Sequence, residues 1–257
     1  MTDPSTPAIA ADPAASPTYR LAATDLDFLM SDDLRGVRFQ LEFEKADLGL
    51  RAWGVASTIV VFGSARARED GSPEQGRWYA EARAFGRLAS ERGGALNLLA
   101  PRHNVIATGG GPGIMEAANR GAHEAGAPTI GFNISLPHEQ QPNPYISPDL
   151  AFRFHYFAMR KMHLAMRASA LVVFPGGFGT FDELFEILTL RQTGKMPSIP
   201  VVLVDEAYWR DVVRFDALIA HGMIDPADAE ICRFAEDAEG VWRALIACGL
   251  QTPAPPV

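Results

Sequence analysis

The chain has only two cysteines, three lysines, no long apolar run and no excess of positive charge. Each scarcity excludes something. Cys232 and Cys248 form no CxxC and have no histidine at metal spacing. They read as reduced thiols of a cytosolic protein, not as a structural disulfide. No apolar stretch approaches the ~20 residues of a membrane span. Roughly the first twenty residues are rich in Pro, Ala, Ser and Thr. They lack the basic start and continuous apolar segment of a signal peptide, and read as a disordered tail. A net charge of −8 gives no general attraction to nucleic acid or to an anionic membrane. A phosphorylated ligand would therefore need a local site.

What is present is a core-forming composition. The 257 residues are 47% hydrophobic, enough for one large α/β domain or two small ones. The organising stretch runs from Leu171 to Glu183. Leu171-Val172-Val173-Phe174 reads as a buried strand, and Pro175 stops it. Gly176, Gly177 and Gly179 then free the backbone, with Phe178 between them. Thr180 is expected to open a helix from Phe181 to about Gln192, with Leu184, Ile187 and Leu188 at helical spacing. A glycine turn between strand and helix aims backbone N–H groups and the positive helix end at one spot, which suits a phosphate. Glu183 falls in the first helical turn. Thr180-x-x-Glu183 is equally a capping box, in which Glu183 only satisfies an orphan N–H.

A second turn of this kind follows another strand. Asn104 to Thr108 is apolar and β-prone, Gly109-Gly110-Gly111-Pro112-Gly113 follows at once, and Ile114 to about Ala125 reads as a helix. Ile114 occupies the third glycine position of the GxGxxG fingerprint, which disfavours a dinucleotide-dependent hydride transfer. Glu116 is either a capping acid or a contact to a ligand hydroxyl.

The remaining chain alternates strands and helices. Ser31-Asp32-Asp33 starts a helix running to about Trp53, with Leu34, Val37, Leu41 and Leu48 as its apolar stripe. Thr58 to Phe62 is a strand, after which Ser64 and Arg66 stand where ligand contacts are presented or form a plain polar turn. Ser72-Pro73 opens a helix carrying Trp78, Ala82, Phe85 and Leu88 inward. Pro128 to Ile134 is a strand. A proline-rich loop over 136–149 suits a lid or a binding wall, with Glu139 and Asn143 either as ligand contacts or as plain solvated side chains. Arg153 to Ser169 reads as a helix whose His155, Met159, Met162, His163 and Met166 make a core face. His155 and His163 are too far apart to be a zinc pair. Pro200 to Val204 is a strand, and Tyr208 to Ala220 and Asp237 to Cys248 are helices. This pattern predicts an α/β fold with a doubly wound, Rossmann-like parallel sheet. Residues 1–24 form a tail, 25–53 an N-terminal helical extension, 54–250 the nucleotide-binding domain and 251–257 a second tail. Both glycine turns then fall on the carboxyl edge of the sheet.

Gly109 to Glu116, Met159-Arg160-Lys161 and Pro175 to Glu183 together resemble the Lonely guy family. Its members are nucleoside 5′-monophosphate phosphoribohydrolases best known for activating cytokinins, and many were once labelled lysine decarboxylases. Pro175 to Glu183 meets the family pattern PGGxGTxxE in full. The resemblance spans Thr58 to Val204, and the N-terminal helix resembles the longer bacterial branch. It implies that Gly177, Gly179 and Thr180 hold a 5′-phosphate and that Arg160 and Glu183 are the catalytic pair. Lys161, Asp182, Glu139 and Thr189 would line the nucleotide site. Ser64, Gly110, Gly111, Gly113, Glu116, Gly176 and Phe178 complete the expected substrate contacts. The resemblance further implies no metal or organic cofactor, a homodimer or higher homo-oligomer with the site near the subunit interface, and AMP or a related, cytokinin-like nucleotide as substrate. A carboxylate near the anomeric carbon suits an oxocarbenium-like transition state. The rival reading is a module that binds nucleotides without turnover. A decarboxylase built on a Schiff-base lysine has only Lys45, Lys161 and Lys195 to draw on.

Overall fold

The computed structural model describes residues 12–98, 101–136 and 141–253. The chain divides into two compact units, Met1–Glu42 and Phe43–Val257, so the division falls inside a helix. The first unit holds α1 (Leu26–Leu29) and the start of α2 (Arg35–Ala52).

The second unit is built on one seven-stranded sheet. Its strands are β1 (Thr58–Phe62), β2 (Val105–Thr108), β3 (Thr129–Ile134), β4 (Ala151–Phe154), β5 (Ala168–Val173), β6 (Val201–Val204) and β7 (Cys232–Ala235). The order is β4-β3-β2-β1-β5-β6-β7, and every pairing is parallel. The central strands β1, β2 and β6 are buried along their whole length. That is why they read as continuous apolar runs without alternation.

Helices cover both faces. On one lie α3 (Pro73–Gly93), α4 (Ile114–Glu124) and α10 (Ala238–Ala247), whose Phe85, Ala118, Val241 and Leu245 join Ile59, Ile106 and Val202 in one core. On the other, α5 (Phe157–Met166), α6 (Phe178–Gln192) and α7 (Glu206–Val212) bring Leu164, Leu184, Ile187 and Trp209 against Val60, Leu171 and Leu203. Two short helices, α8 (Phe215–Ala220) and α9 (Pro226–Ala229), precede β7. The expected doubly wound α/β sheet is therefore what the chain adopts.

Four expectations are corrected. The helix expected from Arg153 instead starts at Phe157, because Ala151–Phe154 pairs with β3 as the edge strand β4. Phe152 and Phe154 point inward while Ala151 and Arg153 point out. Only His163 of the supposed core face is fully buried, and Met162 and Met166 are exposed. The helix expected over 208–220 breaks at Val213 into α7 and α8, and β7 had no counterpart in the pattern. In the later half of α2, Ala46, Asp47 and Leu50 are buried and Leu48 is exposed, so the buried face is not the expected stripe. Asp47 accepts from both Arg51 and Arg167, which lets a carboxylate sit on the buried face of the helix.

Candidate active site

The order of strands reverses between β1 and β5, so a crevice opens above their carboxyl ends, the usual ligand position in such sheets. Ser64 stitches the loops that rim it. Its N–H donates to the Pro175 carbonyl at 2.9 Å, and its own carbonyl accepts from the Ile114 N–H at 3.1 Å. A side chain at Gly113 would meet the Ser64 carbonyl at 2.3 Å, and one at Gly176 would meet Thr180 Oγ1 at 2.1 Å. These two glycines are needed for close approach. Around Gly177 and Gly179 there is open space.

Helix α6 begins three residues earlier than expected. Gly177 is its N-cap with no side-chain cap, and Thr180 is already inside the first turn. Among the described residues, the N–H groups of Gly177, Phe178 and Gly179 donate to no backbone carbonyl. They are free for an anion. The capping-box reading of Thr180 and Glu183 is removed by this shift, and by the actual partner of Glu183. Arg160, on α5, donates from Nη2 to Glu183 Oε1 at 2.8 Å. Lys161 Nζ lies 3.8 Å from Glu183 Oε2, 2.8 Å from Asp182 and 3.0 Å from Glu186.

Glu183 is 4% exposed. Burial pushes its carboxyl above the ordinary glutamate range, and the hydrogen bond and charge of Arg160 only partly offset this. Lys161 behaves oppositely. Burial works against its charge, but the hydrogen bonds to Asp182 and Glu186 outweigh it and hold the ammonium above its usual range. Arg160 also reaches the second glycine loop: its Nη1 lies 4.0 Å from where a Gly109 side chain would begin. Its Nε is buried with no partner among the described residues, and its guanidinium lies 5.3 Å from the Phe157 ring centre. One arginine thus spans the second glycine loop and the buried carboxylate.

The second loop is held by polar side chains. Gly110, at φ +73°, leaves no room for a Cβ against Asn133. Its N–H donates to Thr108 Oγ1 at 2.9 Å, and its carbonyl accepts from Asn133 Nδ2 at 3.2 Å. Asn143, expected as a ligand contact, is buried and donates to the Gly111 carbonyl at 3.1 Å and to Asn119 at 2.9 Å. Its role is to hold the loop.

The other expected residues fall on either side. Glu116 stands at the third helical position, but α4 shows no capping box. It accepts from Tyr79 Oη at 2.8 Å and lines a cleft of about 930 Å³ with Arg66, Arg68 and Gly113. Phe178, Asp182, Lys161 and Thr189 line a separate groove of about 560 Å³ along α6, with Phe181, Phe185 and Glu186. The Thr189 hydroxyl is spent on the Phe185 carbonyl at 2.7 Å. Glu139 lies outside the described residues. Among those described, no group of three or more His, Cys, Asp or Glu could hold a metal ion, and no helix is long and apolar enough to cross a membrane. The pattern missed Glu186 and Tyr208. Asp182 and Glu186 are four apart on one helix, so a shared cation was a readable signal. Tyr208 carried no such signal.

Several known proteins are similar to this chain. The family model described as "Possible lysine decarboxylase" matches residues 115–245, half of the chain. Cytokinin riboside 5′-monophosphate phosphoribohydrolase LOG3 of Arabidopsis thaliana is 28% identical over 168 residues, covering 62% of this chain and 76% of that protein. The phosphoribohydrolase LOG7 of the same plant is 28% identical over 152 residues, covering 58% and 68%. Two solved structures share the fold. One is an X-ray structure from a structural genomics consortium, with TM-score 0.53 at 24% identity over 74% of this chain and 99% of that one. The other is the molybdenum cofactor binding protein of the phototrophic bacterium Rippkaea orientalis, with TM-score 0.50 at 21% identity over 74% and 96%. The matched model, the relatives and the three motifs converge, and the chain belongs to the Lonely guy family, whose family model is described as "Possible lysine decarboxylase".

Proposed function

We propose that the protein is a nucleoside 5′-monophosphate phosphoribohydrolase, splitting the N-glycosidic bond of AMP or a related, cytokinin-like nucleotide into free base and ribose 5-phosphate. The observation that carries this reading is the pairing of Arg160 with the buried Glu183 at 2.8 Å beside the uncapped start of α6. The free N–H groups of Gly177 to Gly179 hold the 5′-phosphate, and the anchored phosphate fixes the sugar against Glu183. The C1′–N bond breaks with its electron pair on the base, which takes up a proton. Water adds at C1′ and gives up a proton. Glu183, as carboxylate, either receives that proton or balances the positive charge growing on the sugar. Arg160 orients Glu183 and offers its remaining donors to a ribose or phosphate oxygen.

The lysines argue against decarboxylation through a Schiff base. Such a lysine needs a lowered pKa, whereas Lys161 is held charged by its carboxylates. Lys45 and Lys195 are exposed, the first on α2 and the second just past the end of α6.

The test is incubation with a panel of nucleoside monophosphates, with free base followed by chromatography. Release of adenine from AMP, lost in Glu183→Gln and Arg160→Ala variants that still fold, supports the proposal. Binding without release would establish a nucleotide-binding module instead.

A further inference from the structure

The glycine loop is gripped from outside by a residue that no motif contains. Tyr208 Oη donates to the Gly176 carbonyl at 2.7 Å. In a trans peptide the carbonyl and the following N–H point in opposite directions. A bond that fixes the Gly176 carbonyl on the Tyr208 side therefore turns the Gly177 N–H away from it. At Gly177 the space a side chain would take is empty, and its N–H finds no backbone acceptor among the described residues.

Tyr208 is itself held tightly. Its ring meets Trp78 edge-on at 5.8 Å and Trp209 at 5.3 Å. Its N–H donates to Asp205 Oδ1 at 3.1 Å. Asp205 also accepts from Arg77 at 2.5 Å and from Trp78 Nε1 at 2.8 Å. Asp205 is 6% exposed and adopts φ +72°, ψ +81°, a backbone region that a residue with a side chain seldom occupies. Only an over-determined surrounding keeps such a residue there. The strained carboxylate is the hub that joins α3 to the start of α7 and, through Tyr208, to the loop before α6.

We propose that Tyr208, braced by Asp205, is a positioning residue that presets the Gly176–Gly177 peptide plane for a phosphomonoester. This rests on the phosphate-binding reading of the loop given above. The Tyr208→Phe variant keeps the ring and deletes the hydroxyl. Isothermal titration calorimetry with AMP and with inorganic phosphate is the primary measurement. Loss of one hydrogen bond predicts a Kd raised about three- to tenfold for both. In turnover, KM for AMP should rise by the same factor with kcat within about twofold, while the affinity for adenosine, which carries no phosphate, stays unchanged in the same calorimetry. A merely structural role would lower the melting temperature without separating AMP from adenosine. Asp205→Asn, which tolerates the same backbone, should shift phosphate affinity in the same direction by less. Wild-type phosphate and AMP affinity in Tyr208→Phe would overturn the inference. If the native protein binds AMP but releases no base, hydrolysis fails while these affinities still decide the role of Tyr208. If it binds neither ligand, both fall.

Discussion

Glu183 has two opposing neighbours, low-dielectric surroundings and a guanidinium, and burial prevails. The sign of the pH dependence follows. A carboxyl whose folded pKa is raised favours the folded state when protonated. Its stabilising contribution is present below the ordinary glutamate pKa of about 4.3 and is lost as pH rises through the folded value. Activity needs the carboxylate, so it has the opposite slope. The acid limb of kcat/KM for AMP should have its midpoint above about 4.3, with the protein still folded there by circular dichroism. A limb that coincides with unfolding would disconnect Glu183 from the rate. The glycines make a second residue-scale contrast. Ala at Gly177 keeps the fold, because nothing lies within 4 Å of the new methyl, but the methyl occupies the space assigned to phosphate. Ala at Gly176 collides with Thr180 and costs stability instead. Phosphate affinity should fall tenfold or more, roughly 1.4 kcal/mol, in Gly177→Ala at unchanged melting temperature. Gly176→Ala should melt several degrees lower.

At the scale of elements, how far the sequence could be read depended on burial. Strands β1, β2 and β6, buried throughout, appeared as apolar runs with nearly correct bounds. The edge strand β4 and the last strand β7 are four residues each with alternating or partial burial, a signal too short to separate from a helical period. The Arg160–Glu183 pair was legible as two motifs, but its contact was not, because α5 and α6 meet only after the sheet is assembled. The start of α6 was misplaced because Thr180 is a good cap residue, while the fold uses Gly177, whose missing Cβ leaves room at the crevice. The second loop depends on α3 and α4 crossing closely. A methyl at Gly121 would lie 1.9 Å from the Arg83 carbonyl, and one at Gly86 would lie 2.2 Å from the Ala118 carbonyl. Glu124 clamps the same crossing by accepting from Arg83 and Arg87 of α3. Gly121→Ala must push the helices apart and should cost about 2–3 kcal/mol by overpacking, read as a lower denaturation midpoint. Because Gly113 and Ile114 lead directly into α4, AMP affinity should weaken with it. An unchanged midpoint would show that the crossing is slack.

For the whole molecule, a net charge of −8 contrasts with a largely apolar groove along α6 that borders Lys161 and Asp182. Phe178 is 97% exposed, and it lines the α6 groove with Phe181, Phe185 and Leu190. An exposed aromatic at the mouth of a site is costly in water unless something covers it. A second copy of the chain is the occupant that the family resemblance implies, and it would place the base pocket between subunits. A two-fold contact doubles every change made in it, because each substituted side chain appears on both sides. Phe178→Asp combined with Phe185→Asp should therefore act strongly, setting four carboxylates against a groove that already holds Asp182 and Glu186. The native protein is expected to run as a dimer in sedimentation velocity at micromolar concentration, and this double variant as a monomer with its melting transition retained. Base release should fall with dimerisation, since one wall of the pocket departs with the partner. A variant that is monomeric yet fully active would place the whole site within one chain and leave the groove without a part in the reaction.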